Sequence, residues 1–224
     1  MSKRVERPGV REGYDRWSET YDVTPNPLVA LDRRLTLRAL DPRPGERVLD
    51  AGCGTGAHLA RLSAARARAV GLDFSRGMLR VAQRAAPRAA LARADLNREL
   101  PVRRASFDVV LSALVSEHLG DLGMFLREAF SALRRGGRLI FSAFHPELAL
   151  AGIEANFEES GTEYRLGAER YSVDDYLTRI SEAGFRRLEW HEHRGDERLI
   201  EQVPAASKYL RRPLLLLVRA ERAT

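Results

Sequence analysis

Three carboxylates stand where apolar runs end: Asp50 in VLDAGCGTG, Asp73 in VGLDFS and Asp95 in RADL. After the first come Gly52, Gly54 and Gly56 at alternate positions. Glycine permits positive φ and lets backbone approach a ligand closely. A helix opening just beyond offers unpaired N–H groups and a partial positive charge to an anion. A phosphate fits poorly here. Asp50 would repel a pyrophosphate and attract a cation, and the spacing is G-x-G-x-G with Ala57 next, not the G-x-G-x-x-G of dinucleotide sites. No G-x-x-x-x-G-K-[ST] occurs either, which excludes a P-loop NTPase. The fitting ligand carries an ammonium, a carboxylate and a ribose.

Asp73 follows Asp50 by 23 residues, near the spacing of an acid that accepts from vicinal ribose hydroxyls. Asp95 can accept from an adenine amino group, with Phe74, Met78 and Leu96 as apolar walls. S-adenosylmethionine has all these groups plus a sulfonium charge.

A second set could act on an acceptor. Glu117 and His118 follow the apolar run 107–112, and His145 follows 138–144. Any of them can take a proton from a hydroxyl acceptor. Tyr14, Trp17, Ser18 and Tyr21 recur at helical spacing, as a lid face or an ordinary amphipathic face. Phe157 and Tyr164 lie in NFEESGTEYRL, a hairpin or ordered flap that can wall a substrate. Cys53 reads as a small residue fitted to its turn, and His58 as a helix residue near the ligand. His191 and His193 alternate with Glu189 on one strand face, which reads as solvated rather than metal-binding; no metal is expected.

These residues need a scaffold. Residues 1–12 are polar and read as mobile. Asn26 before Pro27 caps a helix that runs towards Pro42. Strand 47–51, helix 56–66, strand 69–73, helix 75–86 and strand 90–94 then alternate. Strand 107–112, helix 121–135 stopped by Gly136 and Gly137, and strand 138–144 complete the rhythm. Repeated strand–helix units make a parallel sheet with helices on both faces, and ligands sit beyond its carboxyl strand ends. The stretch 145–171 interrupts. Ser172 to Asp175 is a capping-box-like start for a helix that reaches Ala183 and stops at Gly184. Strands at 185–193 and 213–220 close the chain. With no repeat or linker, 1–224 reads as one domain: lid helices 1–40, ligand-binding core 45–144, substrate-side insertion 145–171, and C-terminal helix and strands 172–224.

The 224 residues are 44% hydrophobic and 30% charged, which predicts a packed core. The net charge is +6, but the arginines are scattered among alanines and read as solvated surface, so nucleic acid is not the expected partner. One cysteine excludes a disulfide framework and a cysteine-cluster zinc site. The longest aliphatic run, Leu214 to Val218, is far short of the about 20 residues of a membrane span. The N-terminus lacks an apolar signal core, so a cytoplasmic location is expected.

VLDAGCGTG, VGLDFS, RADL, FDVVLSALVSEHL and LRRGGRLIFS, in that order and spacing, resemble the successive motifs of class I S-adenosylmethionine-dependent methyltransferases over residues 47–144. YDRWSETYD resembles the N-terminal helix of the small-molecule, quinone-biosynthesis type. The resemblance implies an α/β fold, a Rossmann-like three-layer sandwich. Its seven-stranded sheet would be mostly parallel, with the last strand antiparallel. It implies that Asp50, Gly52 and Gly54 hold the methionine part, Asp73 the ribose, and Asp95 and Leu96 the adenine. Ser112 would lie beside the cofactor, and Tyr14, Trp17 and Tyr21 would form a lid face, with Tyr21 also at the cofactor.

The expected function is methyl transfer to a small molecule, a hydroxyl acceptor being slightly favoured, and the oligomeric state stays open. SALVSEH at the end of the fourth strand departs from the [DNS]-P-P-[YF] of amino-methylating nucleic-acid and protein enzymes. An RNA methyltransferase, a non-catalytic cofactor-binding protein and a nicotinamide oxidoreductase are the alternatives.

Overall fold

The computed structural model describes residues 4–223. In chain order it contains β1 (Arg4–Glu6), α1 (Val10–Trp17), α2 (Pro27–Leu40), β2 (Arg47–Ala51), α3 (Ala57–Ala64), β3 (Arg68–Asp73), α4 (Arg76–Ala85), β4 (Ala90–Arg93) and β5 (Phe107–Ala113). Then come α5 (Leu122–Ala132), β6 (Leu133–Phe144), α6 (Pro146–Leu150), β7 (Asn156–Glu159), β8 (Thr162–Arg165), α7 (Val173–Glu182), β9 (Arg186–Arg194), α8 (Glu197–Gln202) and β10 (Pro213–Glu221). The main sheet has seven strands in the order β4-β3-β2-β5-β6-β10-β9. Strands β2 to β6 are mutually parallel, and β10 enters antiparallel between β6 and β9. This is the expected Rossmann-like α/β sandwich with its last strand reversed.

The continuous apolar runs follow from burial on both faces. Neighbouring residues on one strand point to opposite sides. Leu49 and Val110 join the layer under α5 and α7, while Val48 and Val109 join the layer under α2, α3 and α4. At the edge, β9 reads RRLEWHEHR and is mostly exposed, and its charges discourage edge-to-edge pairing.

Helix starts match their capping chemistry. Asn26 Oδ1 accepts from the N–H of Leu28 at 2.9 Å, and Pro27 occupies the first turn of α2. Ser172 and Asp175 form a reciprocal capping box at α7.

Three expectations are corrected. The N-terminal stretch is ordered from Arg4 onward: β1 pairs parallel with β8, and Arg7 forms a bidentate ion pair with Glu154. Residues 1–3 lie outside the described residues. Helix α1 ends at Trp17, so Tyr21 sits in the turns that follow. Helix α5 ends at Ala132, before Gly136 and Gly137, and β6 begins at Leu133, which pairs with Phe107. The Arg222 guanidinium explains the early stop: it donates to the carbonyls of Phe130 and Leu133 at 2.8 and 2.7 Å, meeting acceptors that a continuing helix would use. The sequence pattern also missed α8, which packs on α2 and β10 through Leu199 and Val203. The insertion folds as α6 followed by the β7–β8 hairpin, the latter joined by β1 in a three-stranded sheet.

Candidate active site at the carboxyl ends of the strands

The turn after β2 is built on glycine geometry. Gly52, Gly54 and Gly56 have φ of +88°, +51° and +82°. At Gly52 an added Cβ would lie 2.3 Å from Val115 Cγ2, so glycine is needed for space as well as for φ. At Gly54 nothing lies within 4 Å, which leaves open room for a ligand against the backbone.

Asp73, at the end of β3, ties this turn to the next. Its Oδ2 accepts from the Gly54 N–H at 2.9 Å and its Oδ1 from the Ser75 N–H at 2.8 Å. Burial raises the Asp73 carboxyl to about 6 against those bonds. Asp50 is 1% exposed, and neither of its carboxylate oxygens has a partner among the described residues. Burial pushes its carboxyl up to about 7, partly countered by nearby His58. A buried carboxylate in that state fits a ligand that brings a cation.

Two cavities open here. The smaller, about 90 Å³, is lined by Gly52, Gly54, Asp73, Phe74, Met78, Asp95 and Leu96, closed over by Tyr14, Tyr21 and His118. The larger, about 260 Å³, lies beyond Tyr14, Tyr21 and Leu114, which belong to both walls. Its lining adds Trp17, Glu117, Glu154 and Tyr209. Leu114 has φ of +53°, a strained value for a non-glycine residue, at the point that divides the two cavities.

The lid is held by more than apolar contact. Tyr14 Oη lies 2.9 Å from His118 Nε2. Burial lowers His118 to about 4, so its imidazole is neutral at physiological pH. Asp15 Oδ1 accepts from Ser75 Oγ at 2.7 Å and the Gly77 N–H at 2.8 Å, docking α1 on the first turn of α4. Asn97 spans two loops, donating to the His118 carbonyl and accepting from the Gly120 N–H. Asp15, Asn97 and Leu114 were not among the sequence candidates. Asp15 carried one signal, an acid at helical spacing beside the aromatic face; the other two depend on contacts distant in sequence.

Several candidates stand elsewhere. Asp50 and Ser112 are buried and do not line the smaller cavity, and Ser112 Oγ has no partner among the described residues. His145 caps α6 and binds Glu192 of β9 at 2.6 Å; it lines neither cavity. Phe157 and Tyr164 stack on one another at 5.0 Å, and Phe157 stacks on Trp17 at 5.2 Å, so they support the lid from behind rather than line a cavity. Glu117 is 5% exposed, its Oε2 has no partner among the described residues, and burial raises its carboxyl to about 7. His58 is bonded to Asp32 at 3.2 Å; burial lowers its pKa, but Asp32 and Asp50 turn the net shift upward.

Comparison with known proteins accords with this geometry. Residues 49–141 match a family described as a methyltransferase domain. A demethylmenaquinone methyltransferase of Corynebacterium kroppenstedtii is 37% identical over 136 residues, 58% of this chain and 58% of that one. The chain thus spans little more than half the length of such relatives. An uncharacterized methyltransferase of Emericella nidulans is 30% identical, over 81% of this chain and 77% of its own. Among solved structures, an S-adenosylmethionine-dependent methyltransferase of Mesorhizobium loti superposes with a TM-score of 0.73 at 27% identity, covering 87% of this chain and all of that one. The chain belongs to the class I S-adenosylmethionine-dependent methyltransferases.

Proposed function

We propose that this chain transfers a methyl group from S-adenosylmethionine to a small molecule. The observation that carries the reading is Asp50: a buried carboxylate with no partner, behind a glycine turn whose backbone has open room beside it. In this reading Asp50 holds the ammonium of the methionine part, and the Gly52–Gly54 backbone follows its chain. Asp73 takes the ribose hydroxyls. Asp95 takes the adenine amino group, between Phe74, Met78 and Leu96. Support comes from their gathering, Asp50 excepted, around one cavity.

Bound S-adenosylmethionine would supply an activated methyl on a sulfonium, whose sulfur would leave as the thioether of S-adenosylhomocysteine. The protein's share is alignment and exclusion of water. Tyr14, Tyr21 and Leu114, shared by both cavities, mark where cofactor and acceptor meet. Glu117 is the base in reach of the acceptor side, and neutral His118 holds the lid through Tyr14. The demethylmenaquinone methyltransferases among the relatives support a small-molecule acceptor.

Calorimetry with S-adenosylhomocysteine tests the cofactor part. The wild type should bind it, and Asp73→Ala should lose at least about tenfold in affinity while still folded, having lost charge-assisted bonds. Wild-type affinity in that variant would overturn the ribose assignment.

A further inference from the structure

The wall of the larger cavity combines two carboxylates, Glu117 and Glu154, with several aromatic rings. Glu117 is 5% exposed, and among the described residues Oε2 finds no donor. The other acid on this wall, Glu154, is already satisfied by both guanidinium nitrogens of Arg7, at 2.7 and 2.9 Å. Lys208 is exposed and sits over the Tyr209 ring, 5.0 Å from its centroid, so it does not neutralise Glu117 in the interior. Tyr14, Trp17 and Tyr21 face the same space. Their ring centroids are 4.8 to 6.3 Å apart. Glu117 is close enough to both tyrosines to be among the charges that raise their pKa values.

Resting on the methyltransferase reading, we infer that the acceptor is a small amine, whose ammonium is received by Glu117 and by the rings of Tyr14 and Tyr21; Trp17, stacked between Tyr14 and Phe157, backs that wall. A hydroxyl would satisfy Oε2 but gain nothing from the rings. A cation gains from both, because a ring face attracts positive charge and a desolvated carboxylate gains most from a charged donor. This departs from the hydroxyl acceptor slightly favoured by the sequence, which contained no sign of how isolated Glu117 is. The cavity also sets a size: about 260 Å³ admits an amine with a single ring or short chain.

The same carboxylate answers the chemical need of an amine. An ammonium has no lone pair until it loses a proton. Glu117 Oε2 takes that proton: an N–H bond breaks, an O–H bond forms, and the electron pair stays on nitrogen for the methyl.

The test is a matched pair on protein loaded with S-adenosylhomocysteine, using 2-phenylethylamine and 2-phenylethanol as probes in calorimetry. The amine should bind about tenfold or more tightly than the alcohol, since hydrogen bonds to charged groups outweigh neutral ones by about that factor. Glu117→Gln should erase most of that preference and keep S-adenosylhomocysteine affinity. Equal binding of amine and alcohol by the wild type would overturn the proposal, as would an undiminished preference in Glu117→Gln. The wild-type comparison needs no variant to fold. Failure of S-adenosylhomocysteine itself to bind the wild type would instead sink the methyltransferase reading, so the two failures are distinct.

Discussion

Tyr14 Oη and His118 Nε2 lie 2.9 Å apart and join the lid helix to the turn after β5, across the mouth of the smaller cavity. Ligand clefts commonly span about 300–1,000 Å³, against about 90 Å³ here. The lid is expected to shift outward as a nucleoside enters.

Tyr14→Phe removes that bond and keeps the ring. S-adenosylhomocysteine should dissociate about three- to tenfold faster, the worth of one net hydrogen bond. Stopped-flow fluorescence would read it, and an unchanged rate would remove the bond from the gate. The bond should persist down to about pH 5, because His118 is lowered to about 4. Its folded pKa lies below the unfolded value of about 6.5, so the unfolded chain binds the extra proton between those limits. The stability tied to burying the imidazole in its neutral form is complete above about pH 6.5 and is lost as pH falls towards 4. Denaturant titrations of wild type and His118→Gln should converge over that window.

Asp50 sets function against stability. Its carboxyl is raised to about 7, above the unfolded value near 4, so the free protein is penalised increasingly as pH rises between them. Asp50→Asn should stabilise the free protein at pH 8 by on the order of 2 kcal/mol and change little at pH 4. It should also abolish measurable S-adenosylhomocysteine binding. Equal stability of both proteins at both pH values would show that burial does not penalise the Asp50 carboxylate.

Gly77 marks where the lid rests on the core. A Cβ there would lie 2.5 Å from Ser18 Oγ and 2.7 Å from the Asp15 carbonyl oxygen. Gly77→Ala should lever α1 away and cost about 1–3 kcal/mol, as overpacking does. Limited proteolysis should then cut between residues 10 and 24, and protection equal to wild type would contradict the contact.

Arg222 supplies the control remote from the cavities. Arg222→Ala orphans the carbonyls of Phe130 and Leu133. It should lower stability by about 1–3 kcal/mol and leave S-adenosylhomocysteine affinity unchanged. Altered affinity would mean that the far end of α5 is coupled to the site.

Much of the frame is local chemistry. The runs RVLDA and FDVVLSA are buried on both faces, and parallel strands show that burial as uninterrupted hydrophobicity. Asn26, Ser172 and the glycines at 52, 54 and 56 act within a few residues of themselves, so their meaning can be read in place. Helix α5 was misjudged at its end because the group that stops it, Arg222, lies about ninety residues further on.

The sequence by itself determined the alternation of strands and helices, the acids at the strand ends and the glycine turn between them. Each of these depends on periodicity or on near neighbours. The tertiary structure alone decided which candidates share a cavity. Among the described residues it left Glu117 Oε2 without a partner on the acceptor side, tied His145 to Glu192, and stacked Tyr164 on Phe157 and Phe157 on Trp17. A side chain's partner is chosen by how distant segments pack, and desolvation, which makes a carboxylate exceptional, exists only once that packing has closed around it.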